Sequence, residues 1–131
     1  MASYEEYEYL LGRSRRFYET ASMQIDKGFF DLAAFSLEQS LQLYLKAMLL
    51  KLGLEYPRTH SIRRLMELLY EVKEREEIKA LLSTFSVEIG ALEDAYITSR
   101  YIARAYSPEE IMRLKRVVEE LMNVIGKIVG Q

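Results

Sequence analysis

The sequence contains no cysteine in its 131 residues, which excludes a disulfide framework and any thiolate metal site. Its single histidine is His60. One imidazole builds no multi-histidine metal site, and with no other histidine or cysteine it belongs to no nucleophilic triad. A di-iron bundle needs inward-facing Glu-x-x-His motifs, whereas His60 falls ahead of a helix start. Also missing are a glycine-rich phosphate loop, an H-E-x-x-H helix and an EF-hand loop. No apolar run approaches the ~20 residues that cross a bilayer. The N-terminal MASYEEYEY is acidic and has no apolar h-region, so no signal peptide is expected. Neither sign of charge dominates, with a net charge of −2 and a pI near 5.6, so nucleic-acid binding would require a local patch. A cytoplasmic protein with no metal or other cofactor and no membrane attachment is expected.

Half of the residues are hydrophobic and 29% are charged, a globular composition, and the length fits one domain, residues 1–131. The chain is organised around DLAAFSLEQSLQLYLKAMLLKLG, Asp31 to Gly53. Asp31 is a candidate N-cap and Gly53 a candidate C′ residue. Between them the apolar residues cover more than one stripe, as in a central helix. Its few polar groups, Glu38, Gln39, Gln42 and Lys46, therefore stand out, with Gln39 and Lys46 two turns apart on one face. Ahead of it, Ser3 and Glu6 form a capping box. Tyr7, Leu10, Leu11, Ser14, Phe17, Tyr18, Ala21 and Ile25 then recur at helical spacing until Gly28. Arg13, Arg15 and Arg16 lie on the outer face of that helix. They read either as a solvated face paired with nearby glutamates or as a phosphate-facing patch.

Pro57 disfavours helix at Tyr56, and Thr59 or Ser61 can cap a third helix from Ile62 to about Val72. His60, beside this cap, has a turn-stabilising reading and a ligand-facing one. Helical spacing resumes over Ile78–Leu82 and Val87–Tyr101, with a kink or short break at Ser83–Ser86. Ser107, Pro108 and Glu110 then supply an N-cap, a proline at N1 and a capping-box glutamate. The last helix runs from Pro108 to about Val129. The expectation is an all-α antiparallel bundle of about five helices with no strand. Glu76/Glu77 and Glu109/Glu110 read as solvated caps. If the chain near residue 100 is helical, Arg100 and Arg104 project from one face and can hold a phosphate, and Tyr101 can offer its ring to a base.

Three segments in order, EQSLQLYLKAMLLKLG, RTHSIRRL and AYITSRYIARAY, resemble the HEPN (higher eukaryotes and prokaryotes nucleotide-binding) domain family over nearly the full length. The resemblance implies an up-down four-helix core and carries functional positions onto Gln39, Lys46, His60, Arg100 and Tyr101. It also implies a homodimer acting beside a small nucleotidyltransferase, as in toxin–antitoxin pairs. Two departures matter. A Glu-Lys pair frequent in the family is Gln42-Leu43 here, and no histidine follows Arg100 where ribonuclease members carry an Arg-x4-6-His motif. Arginine does not shuttle protons near neutral pH, and tyrosine, with a reference pKa of about 10, does so poorly. The favoured expectation is a non-catalytic module binding a nucleotide or RNA through Gln39, Lys46, His60, Arg100, Tyr101 and Arg104. The alternatives are a ribonuclease toxin using Arg100, Arg104 and Tyr106 in a degenerate site, and a helical adaptor.

Overall fold

The computed structural model describes residues 2–101 and 103–130, with the side chains at 2, 3, 99 and 100 outside that description. Among the described residues there are six helices and no strand: α1 (Ala2–Asp26), α2 (Phe30–Lys51), α3 (Ile62–Lys73), α4 (Glu76–Thr84), α5 (Ser86–Tyr101) and α6 (Pro108–Gly130). The expected all-α class stands. The sixth helix comes from Phe85, where the expected kink or short break is a break between α4 and α5.

Several helix ends follow from local chemistry. Gly28 and Gly53 adopt left-handed φ values of 77° and 81°. Each completes a paired 6→1 and 5→2 closure, Phe29 N to Gln24 O with Gly28 N to Ile25 O, and Leu54 N to Leu49 O with Gly53 N to Leu50 O. Ser61 caps α3 by accepting from Arg64 N at 3.1 Å. Ser107 and Glu110 form the expected reciprocal box, at 3.1 and 3.0 Å. Two expected starts differ. Phe29, with no side-chain cap bond, occupies the N-cap of α2, because the tight turn after Gly28 leads straight into helix. Asp31 then lies inside the first turn, where its charge still favours the helix dipole. The first helix already includes Ser3, so Ser3 does not mark its start; its side chain lies outside the described residues.

α2 occupies the centre and packs against α1, α6, α5 and α3. This follows from its composition: Leu37, Leu41, Leu45 and Leu49 are fully buried or nearly so, facing several neighbours at once. α1 lies antiparallel to it. Their register is fixed by a buried reciprocal pair in which Ser14 Oγ donates to Ser40 O at 2.6 Å and Ser40 Oγ donates to Ser14 O at 2.8 Å. α6 closes on another side of α2, where a Cβ at Gly126 would collide with the Tyr44 hydroxyl. No helix among the described residues is long and apolar enough to cross a membrane.

Candidate functional site

The side of α2 turned toward α5 carries Glu38 and Gln42 one turn apart, with Lys46 one turn further on. Glu38 is fully buried. Gln39 Nε2 donates to its Oε1 and Gln42 Nε2 to its Oε2, both at 2.7 Å. With its amide committed to Glu38, Gln42 presents Oε1 outward, where Lys46 Nζ donates at 3.1 Å and His60 Nδ1 lies at 3.5 Å. That oxygen only accepts, so the geometry assigns the proton to Nδ1 of His60. Nε2 then accepts from the Tyr96 hydroxyl at 2.9 Å. The imidazole stacks on the Tyr96 ring at 4.1 Å, and Tyr96 stacks in turn on Phe35. A polar chain thus runs from inside the bundle to its surface across α2, the loop before α3, and α5.

Burial pushes the Glu38 carboxyl up to about 7. The Gln39 and Gln42 hydrogen bonds and the Lys46 charge pull it back, and the Glu93 charge adds to the rise. Lys46 is shifted down by burial, against the pull of Glu38. Among the described residues no carboxylate lies within 4.0 Å of the Lys46 ammonium. Its neighbours are the Gln42 amide oxygen and the face of Tyr56, whose centroid is 5.3 Å away. A half-buried cation held by a neutral acceptor and a ring keeps charge to offer an incoming anion.

The loop bearing His60 is clamped from α5. Glu93 accepts from Ser61 Oγ at 2.9 Å, from Arg63 N at 3.1 Å and from Arg63 Nη1 at 3.2 Å. Arg63 Nη2 also donates to Ser86 O at 2.7 Å. These bonds tie the start of α3 to α5 with His60 between them.

Of the residues anticipated from sequence, Gln39, Lys46 and His60 come together here. The α5 backbone reaches Arg100 one turn beyond Tyr96, but its side chain lies outside the described residues. Tyr101 is 76% exposed at the end of α5. Arg104 stands apart. α5 ends at Tyr101, so Arg104 does not continue the helical face of Arg100. It donates to Glu110 at 3.1 Å and lies over the Tyr106 ring at 4.2 Å, a geometry imposed by the restart of the chain as α6. The Tyr106 hydroxyl is buried with no hydrogen-bond partner among the described residues, so it faces no open site. Glu93 and Tyr96 carry no signal in the sequence, and Glu38 stands out there as a polar position without a functional role. For Glu38 a signal existed: a carboxylate on a helix apolar on most sides must be buried, solvated through a gap or partnered.

Residues 7–128 match the HEPN domain family model. The chain belongs to the HEPN domain family. Comparison with curated proteins gives no match. Within this HEPN domain the match spans α2, the His60 loop and α5, the elements that build the polar chain. The Gln42-Leu43 departure also acquires a structural meaning. A glutamate at 42 could not donate to Glu38 and would neutralise Lys46 directly, whereas glutamine does the reverse.

Proposed function

We propose that this HEPN domain is a non-catalytic binding module for a nucleotide or RNA, with the anion held at Lys46 beside Gln39 and His60. The observation that carries the reading is the Lys46 ammonium, half-buried, paired with no carboxylate among the described residues and braced by Gln42 and Tyr56. The α5 backbone carries Arg100 and the exposed Tyr101 near its end, one turn beyond Tyr96, and both positions are assigned to the proposed surface. The nearby groups able to move protons are committed elsewhere. Both Glu38 oxygens are occupied and buried, and His60 bridges Gln42 and Tyr96. This favours binding over cleavage. The module acts as a cytoplasmic homodimer beside a small nucleotidyltransferase, in a toxin–antitoxin-type pair.

The test is titration of ATP, GTP and a short RNA against the wild type and Lys46→Ala, with helicity checked by circular dichroism. The expected result is binding that weakens about tenfold or more when the charge-assisted contact is removed. Absence of binding, or affinity indifferent to Lys46, overturns the reading.

A further inference from the structure

The outer face of α1 carries Arg13, Arg15 and Arg16, and among the described residues none has a carboxylate within 4.0 Å. These arginines are therefore not ion-paired with neighbouring glutamates among the described residues. Arg13 Nη1 donates to the Tyr9 hydroxyl at 3.1 Å, and its guanidinium lies over the Phe17 ring at 5.5 Å. Arg16 folds back over Gly12, with Nη1 3.6 Å from where a Cβ would sit. The Arg13 guanidinium is thus steadied by neutral partners that leave its charge intact. Along this flank, from Tyr9 through positions 12, 13, 16, 17, 20 and 24, there is no acidic residue.

Helix periodicity puts this flank beside the Lys46 site. Tyr18 is drawn toward Glu119 of α6, and Arg15 lines the same α1–α6 groove. Phe17 lies about 100° back around α1 from Tyr18, and Arg13 about 100° back from the α2-facing Ser14, both on the side away from α6. On α2, Ser40 faces α1 and Gln42 faces His60, with Gln39, Leu43 and Lys46 on the sector between them. Because the two helices are antiparallel, that sector and the Arg13–Phe17 flank open on the same side of the pair. From Tyr9 to Thr20 the flank extends about 16 Å, longer than one phosphate group.

We propose that the α1 flank carrying Arg13, Arg16 and Phe17 is a contact surface for single-stranded RNA, guiding its phosphodiester backbone past the Lys46 site. Guanidinium groups grip successive phosphates through planar, paired donors. Interleaved aromatic rings and arginines suit an unpaired strand, whose bases are available for stacking. A lipid surface fits less well, since the aliphatic residues of α1, Leu10, Leu11 and Ala21, are buried in the core and not presented on this flank. The inference rests on the nucleotide-binding reading above and adds the extended ligand.

A labelled oligouridylate of about 16 nucleotides, followed by fluorescence anisotropy across a salt series, tests it, with ATP titrated in parallel. The Arg13→Ala/Arg16→Ala double variant should bind this RNA about tenfold or more weakly. The slope of log affinity against log salt should fall by about 1.4, two contacts at ~0.7 each. ATP affinity should stay unchanged. Arg15→Ala removes one charge from the other flank and should leave RNA affinity within about twofold, as expected for a surface charge outside the track. RNA affinity and salt slope unaltered in the double variant overturn the proposal. So does an Arg15→Ala loss equal to that of Arg13→Ala, and so does binding to anionic phospholipid vesicles but not to RNA. ATP binding at Lys46 without RNA binding sinks this inference alone, while failure of both ligands removes the proposed function as well.

Discussion

At the start of α6 and on the open side of α2 the chain brings together the same ingredients, a cation, a tyrosine and a glutamate. Near α6, Arg104 meets Glu110 and Tyr106 within six residues of sequence, and the charges cancel across a 3.1 Å contact. Around α2, Gln42 lies between Lys46 and the carboxylate of Glu38, and the tyrosines come from other elements. The second arrangement leaves a cation uncancelled; the first does not. Composition alone does not make a binding site. What matters is whether the nearest acid is used for something else, and Glu38 is, because both its oxygens accept from glutamine amides inside the core.

The largest expected effect distinguishes a buried carboxyl from an exposed one. Glu38→Ala strands the Gln39 and Gln42 amides and opens a void, and should cost about 3 kcal/mol or more by chemical denaturation. A loss under about 1 kcal/mol would mean that Glu38 is not the keystone of the cluster. Next comes pH. Burial lifts the folded Glu38 carboxyl to about 7, above the ordinary glutamate value of 4.5, so the folded state holds this proton more tightly. Its contribution to stability is complete below about pH 4.5 and is lost as pH rises through about 7, on the order of 3 kcal/mol in all. The Lys46 and Glu93 charges bear on the same carboxyl. Thermal melts of Glu38→Gln at pH 5 and pH 7.5 should lack the decline that this group gives the wild type; an unchanged pH profile contradicts the assignment.

At the α6 corner the effects should be smaller and confined to stability. Ser107→Ala removes the N-cap that receives Glu110 N and should cost about 1 kcal/mol, with ATP affinity unchanged. A matching fall in affinity would show that the two regions are coupled. Smallest of all, Tyr106→Phe deletes a buried hydroxyl without a partner. It should leave stability unchanged or raise it by up to about 1 kcal/mol, measured by the same melts. A clear loss would reveal a hydrogen bond to that hydroxyl.

Much of the scaffold was legible because its signals are local. The 6→1 closures at Gly28 and Gly53, the Ser61 cap and the Ser107/Glu110 box each involve residues within six positions of one another. The Phe29 start of α2 was not, since an aspartate within the first turn carries the same signature as a cap. Lys46 and Gln39 stood out as polar positions on an apolar helix, and His60 as the only histidine. Their meeting was invisible, because it depends on how the loop before α3 is clamped to α5 by Glu93. Arg104 was grouped with Arg100 on the assumption of a continuous helix; the helix stops at Tyr101.

By itself the sequence determined that this protein is helical, where most helices stop, and that α2 lies at the centre, since those outcomes depend on near neighbours and on apolar periodicity. Only the tertiary structure decided which polar groups share a surface. Gln42 finds His60 18 residues away, and His60 finds Tyr96 36 residues away. No local pattern encodes such encounters, because they exist only once packing has fixed the rotation of each helix about its own axis.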